Sequence, residues 1–187
     1  MKKNKKQYAA LKLTILVVVV IASISLGIYT FNYLYMQNKI DKKYEKYLIS
    51  KERENAIKKY KSLGVLKIDK LNLEYNILNE SKEDALEISI GKLYGSNPSE
   101  VGNMCLIGQN LKNKLFFSKI NELLVGDKIE VLDSNNNKVT YAVYNVYDTL
   151  ATDSEFLSQI TGGKREITLI TDSYTKGKRT IVKAREI

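Results

Sequence analysis

Two charged residues near the end of this 187-residue chain are the pair best suited to chemistry. Asp172 closes the run Glu166-Ile-Thr-Leu-Ile-Thr-Asp172, and Arg179 opens Arg179-Thr-Ile-Val-Lys-Ala184. Both runs have strand character. Ile167, Leu169 and Thr171 alternate with Thr168 and Ile170, and β-branched residues dominate. The residues between, through Gly177, supply turn chemistry, so Asp172 and Arg179 are expected face to face. A carboxylate beside a guanidinium can serve as a nucleophile, as aspartates do in some phosphoryl and glycosyl transfers. Alternatively it forms an ion pair that only ties two strands together. The ion pair is the simpler expectation, and attack on an amide by a carboxylate without a paired acid is the competing one.

Composition removes most other chemistry. The chain has no histidine, which takes away the commonest general base, metal ligand and physiological proton switch together. Its single cysteine, Cys105, excludes an internal disulfide. Lying mid-strand between Met104 and Leu106, Cys105 is expected to be a small buried apolar residue rather than a reactive thiol. A zinc site would have to be built from carboxylates alone, so neither metal nor cofactor is expected.

The formal net charge of +9 is unevenly spread. Residues 1–62 hold 14 Lys and Arg against 4 Asp and Glu, whereas residues 63–187 hold 16 against 17. The folded part is thus nearly neutral, without the basic face that a nucleic-acid partner requires.

Four segments must position the chemistry. Residues 1–12 form a lysine-rich leader. Residues 13–35 are expected to span a membrane, since no charge falls between Leu13 and Asn38. An apolar run from Leu13 to Phe31, at about 1.5 Å per helical residue, nearly matches a bilayer core of about 30 Å. Tyr29, Tyr33 and Tyr35 suit an interfacial belt. The run exceeds the core of a cleavable signal peptide, and Ala22-Ser-Ile-Ser25 makes a poor cleavage site, so an uncleaved anchor is expected. The leader favours a cytoplasmic N-terminus and an extracellular remainder. Residues 36–63 predict a basic helical stalk with an apolar series at Ile40, Tyr44, Leu48, Ala56, Ile57, Tyr60 and Leu63, and a Glu54–Lys58 pair. Gly64 is expected to end it as the C′ residue.

Residues 64–187 are enough for one core. Two short strands are predicted within 65–77, then a helix capped by Ser81 and running through Ile88. A loop over 91–102 follows, then a buried strand over 103–108 and a helix over 116–124. A hairpin of strands 128–132 and 138–148 turns at Asp133-Ser-Asn-Asn-Asn137. A loop with one helical turn covers 151–160, and the two strands described first close the chain. Short strands without a βαβ rhythm indicate a mostly-β barrel or sandwich.

In this order the segments resemble the sortases of Gram-positive bacteria. Gly64-Val-Leu-Lys-Ile-Asp-Lys-Leu71 is similar to the family's opening strand, with Asp69 where proline is usual. Gly102-Asn-Met-Cys-Leu-Ile-Gly-Gln109 resembles the Gly-Asn strand that normally ends in Gly-His. Phe117-Ser-Lys-Ile120 with Gly126-Asp-Lys-Ile129 resembles the aromatic-plus-Gly-Asp segment. Thr168-Leu-Ile-Thr-Asp172 is similar to the strand that normally ends in Thr-Cys, and Arg179-Thr-Ile-Val-Lys-Ala184 resembles the closing arginine strand. The resemblance implies an eight-stranded β-barrel with short helices. It also implies a membrane-anchored transpeptidase that cuts a Leu-Pro-x-Thr-Gly type signal with a cysteine, a histidine and an arginine.

Carried over by position, Arg179 stands at the arginine, Asp172 at the cysteine and Gln109 at the histidine. A one-residue shift would place Asn110 at the histidine instead, and the loop histidine of some relatives falls near Lys92. The resemblance therefore implies a pseudoenzyme that binds a sorting-signal-like peptide, a sortase, or a pilin or other surface protein, with Asp172 attracting a basic group. The competing readings are a transpeptidase or hydrolase using an altered Asp172/Arg179 site, and a purely architectural wall domain.

Overall fold

The computed structural model describes residues 2–110 and 115–187, and the chain divides into two units, Met1–Glu52 and Arg53–Ile187. Helix α1 (Lys2–Lys59) fills the first unit and reaches into the second. Within it, Leu16–Ile40 is one stretch long and apolar enough to cross a membrane, a few residues beyond the 13–35 read from the sequence. Its hydroxyls turn back on the helix. Ser23 donates to the Val19 and Val20 carbonyls, Ser25 to Ile21, and Thr30 to Gly27. Such bonds satisfy polar groups where water is excluded. The side chains of Lys2, Lys3, Lys5, Lys6, Tyr44, Leu48 and Ala56 lie outside the described residues. In the second unit the predicted Glu54–Lys58 pair forms at 2.8 Å, fully in solvent, where such a pair adds little.

The helix ends at Lys59, and Lys61, at φ 53°, breaks the direction of the chain. Gly64, expected as the helix terminator, instead sits in strand β1 (Ser62–Ile68). A Cβ there would lie 2.2 Å from the Leu132 carbonyl oxygen, so the glycine serves close strand approach.

The second unit is a closed eight-stranded barrel. Its strands are β1, β2 (Leu73–Leu78), β3 (Ile90–Tyr94), β4 (Gly102–Ile107), β5 (Lys128–Asp133), β6 (Lys138–Leu150), β7 (Arg165–Asp172) and β8 (Lys178–Glu186). They close in the order β1-β2-β3-β4-β7-β8-β6-β5. The β2–β3 and β4–β7 pairs are parallel and the rest antiparallel. Leu66, Ile77, Met104, Leu106, Phe117, Val131, Ile167, Leu169 and Val182 fill the interior.

A second, smaller cluster lies apart from that core: Cys105, Phe156, Ile170 and Ile181, with Ile107, Tyr147 and Leu157 against it. Alternation sends these strand residues to the opposite face from Leu106, Leu169 and Val182. The β6–β7 connection, through Phe156, covers that face. Strand β7 is consequently buried on both sides from Glu166 to Thr171.

Three expectations need correction. The helix predicted from Ser81 to Ile88 is only α2 (Glu83–Leu86), preceded by Lys82 with no side-chain cap. The loop predicted over 91–102 contains most of β3. The helix predicted over 116–124 shrinks to a 3-10 turn at Ile120–Glu122: Phe116, at φ 53°, lies in the left-handed region that a helix cannot use, and Leu123 is already extended at ψ 145°.

Candidate functional site

The parallel register of β4 and β7 runs from Gly102 opposite Arg165 to Ile107 opposite Ile170. Beyond its end, residues 108–110 stay laid against β7 by hydrogen bonds. Gly108 N–H donates to the Ile170 carbonyl (3.1 Å), Thr171 Oγ1 to the Gly108 carbonyl (2.7 Å), and Asn110 Nδ2 to the Asp172 carbonyl (2.8 Å). Phe117 N–H donates to the Gln109 carbonyl. Gly108 is required here, since a Cβ would come within 2.8 Å of the Phe117 ring.

Gln109 is thereby carried to the end of β7, and it lines one cleft together with Asp172. The lining is Ser81, Glu83, Leu86, Ile107, Gly108, Gln109 and Asp172, and the volume is about 280 Å³. Two of the three residues singled out from the sequence thus meet in one place. Arg179 is directly opposite Asp172 across the β7–β8 pair, but it is not among the cleft-lining residues. Asn110 spends its side chain on the β7 backbone, and Lys92 donates to Asn97 Oδ1 (2.7 Å).

The expected Asp172–Arg179 ion pair is not formed among the described residues. Asp172 is exposed and Arg179 half-buried, where pairing gains little over hydration. Other contacts hold the β7–β8 connection. Ser173 Oγ and Thr180 Oγ1 both donate to the Asp148 carboxylate (2.6 and 2.7 Å), and Tyr174 OH donates to the Ser118 carbonyl (3.1 Å). The Ser173 hydroxyl first, and Thr180 after it, hold the Asp148 carboxyl below its ordinary range against the opposing effect of burial.

Cys105 is fully buried, and burial pushes its thiol up to about 12, with Lys183 and Thr168 acting weakly the other way. It therefore carries no thiolate near neutral pH. Among the described residues no group of three or more Cys, Asp or Glu converges where a metal ion would bind.

Asn103 is the structural residue that sequence reasoning missed. Fully buried, its Nδ2 donates to the Phe156 and Ser158 carbonyls, and its Oδ1 accepts from Thr168 Oγ1 (2.8 Å). Gln159 completes the clasp, its Oε1 accepting from Asn103 N–H and its Nε2 donating to the Asn103 carbonyl. Two amide side chains thus fasten the β6–β7 connection over the second cluster. A polar residue directly before the apolar run Met104-Cys-Leu-Ile107, within the same strand, was the available signal.

A closed eight-stranded barrel with a cleft at the ends of parallel β4 and β7, beside the arginine strand, is the architecture that the sortase resemblance implies. Residues 66–187 match the sortase domain model, and the chain belongs to the sortase family. Solved structures agree on the fold. Sortase A from Corynebacterium diphtheriae superposes with a TM-score of 0.62 at 21% identity, over 67% of this chain and 60% of that one. Sortase C1 from Streptococcus suis gives 0.63 at 19%, over 73% of this chain and 78% of that one. A Clostridium perfringens sortase D5 transpeptidase gives 0.61 at 26%, over 74% and 88%. Comparison with curated proteins finds no match.

Proposed function

We propose that this chain is a sortase-family pseudoenzyme, tethered by its N-terminal helix with the barrel outside the membrane, that binds a sorting-signal-like peptide or a sortase or pilin partner without cutting it. The observation that carries this reading is the shared cleft. The two positions at which the family resemblance implies histidine and cysteine are brought together, and they present an amide and a carboxylate. Gln109 has no titratable proton to give a leaving amine, and Asp172 is a poor nucleophile toward an amide. Among the described residues lining the cleft, no thiol or imidazole takes their place. The one thiol is buried and protonated, and the chain has no histidine. The lysine-rich leader before an apolar helix supports a cytoplasmic N-terminus.

The test is to incubate the full-length chain, in detergent micelles, with a Leu-Pro-x-Thr-Gly type peptide and an acceptor amine, and to follow products by mass spectrometry. No cleavage or transfer is expected. A product would overturn the reading in favour of an altered Asp172/Arg179 enzyme. The double variant Asp172→Cys with Gln109→His places the missing pair in the existing cleft, and it is expected to gain cleavage over a blank background.

A further inference from the structure

The cleft wall that faces Gln109 and Asp172 has a second side. Between Glu80 and Leu86 the chain separates two cavities. Ser81, Glu83 and Leu86 line the cleft, whereas Glu80, Lys82 and Asp84 line a larger cavity, about 440 Å³, beside Tyr60 and Lys61. These two residues follow directly on α1, whose last turns, from Arg53, belong to the same unit as the barrel.

Helix α2 in this wall has little of its own to hold it. It has four residues and no side-chain cap, too few for its internal hydrogen bonds to sustain it. On the barrel side Ala85 is fully buried and Leu86 closes on Gly91. On the other side the end of α1 takes hold. Lys59 Nζ donates to Tyr60 OH (2.8 Å), and Tyr60 OH donates to Asp84 Oδ2, 24 residues away in sequence. Asn79 N–H is shared between the Tyr60 and Lys61 carbonyls (3.3 and 3.1 Å), the chain turning at Lys61 with φ 53°.

We propose that this hold is a conformational coupling: the end of α1 sets where α2 stands, and so sets the Glu83 and Leu86 wall of the cleft. Tyr60 is its positioning residue. A displacement of the helix end reaches Asp84 through side chains in direct contact, instead of being lost in the connection between them. The contacts on Asp84 are exposed, so each adds little, and the held and released arrangements of α2 stay close in free energy. The one-turn helix is the element with two arrangements that such a coupling needs. It operates whether the cleft binds or cuts, so it stands apart from the reading above.

The experiment is hydrogen exchange by mass spectrometry on the full-length chain in detergent micelles, with a nitroxide carried on the cleft wall by Glu83→Cys. Cys105 is fully buried, so the label attaches at the introduced thiol alone. Tyr60→Phe keeps the ring and removes the donor. It is expected to speed exchange of the Leu86–Ser89 amides, which bond back to Lys82, Glu83 and Ala85, about fivefold, and to raise nitroxide mobility, with β4 and β7 amides unchanged. Asp84→Ala is expected to do the same, and Tyr60→Phe to add nothing in that background. Coupling is reciprocal, so Leu86→Ala on the cleft side is expected to speed exchange at Lys58 and Lys59. An unchanged nitroxide spectrum in Tyr60→Phe would overturn the proposal, as would additive effects of the two hold-breaking substitutions. Equal acceleration in β4 and β7, a general loosening, or silence at the α1 end in Leu86→Ala would overturn it as well.

Discussion

Strands β4 and β7 lie side by side along their whole length, yet their two ends are built on opposite terms. At the Gly102 end the polar side chains are largely paired with one another, Ser96 Oγ beside Gly102 being buried without a partner among the described residues. Asn103, Thr168 and Gln159 exchange hydrogen bonds with one another and with the β6–β7 connection, all in or beside a buried layer. At the Asp172 end, Gln109, Asp172 and Glu83 face a cleft with no described side-chain partner. Buried polar groups left unpaired cost stability, so the first end cannot be rebuilt piecemeal. Exposed polar groups cost little, so the second end is free to present chemistry outward. A polar residue in a strand acquires meaning from whether the fold supplies its partners.

The largest contrast lies in reactivity. Cys105 sits in the closed half with its thiol near 12, and only the thiolate alkylates. Labelling with iodoacetamide at pH 8 is expected to run on the order of a thousandfold slower in the native chain than after unfolding in urea. Comparable rates would show that the closed half is open.

Stability separates the halves next. Asn103→Ala strands the Ser158 carbonyl and leaves the Phe156 carbonyl and the Thr168 hydroxyl only their 3.5 Å contact with each other, and is expected to cost about 3 kcal/mol in urea unfolding. A loss under about 1 kcal/mol would show that water replaces the clasp.

A smaller effect follows acidity. Asp148, depressed below the ordinary unfolded value of about 3.9, binds fewer protons folded than unfolded as the pH drops. Its contribution is therefore present above that value and is lost as pH falls through the folded one. Asp148→Asn is expected to flatten the decline of stability below about pH 4, and an unchanged acid limb would exclude Asp148 from the β7–β8 connection. Smallest of all, Asp172→Ala should shift unfolding by no more than about 0.5 kcal/mol. A larger loss would mean that Asp172 is structural after all.

Much of the barrel was legible in the order of the chain. The β5–β6 hairpin announced itself through Asp133-Ser-Asn-Asn-Asn137, and the closing strands through the β-branched runs on either side of Gly177. Strand β3 was not legible. It has five residues, begins Ile-Gly, and pairs with β2 at only two positions, so its local signal is weaker than the turn chemistry around Pro98. The short α2 was over-read because Ser81-Lys-Glu-Asp84 has the composition of a capping box, yet no side chain caps the helix. Within the site, register correctly placed Asp172 opposite Arg179, but register sets only which face a side chain shares, not whether two charged ends meet. The Asn103 clasp escaped because its partners are carbonyls more than fifty residues away.

The barrel order carries a consequence for assembly. Strands β7 and β8, last in the chain, are inserted between β4 and β6, which are already separated from each other in sequence. Until residues 165–186 arrive, both of those neighbours present raw hydrogen-bonding edges, and closure must wait for pairings of long sequence separation. Asp172 and Arg179 ride on those late strands. The cleft edge that Asp172 forms is therefore among the last parts of the barrel to be set, and a chain halted before residue 165 has the apolar helix but not the closed barrel.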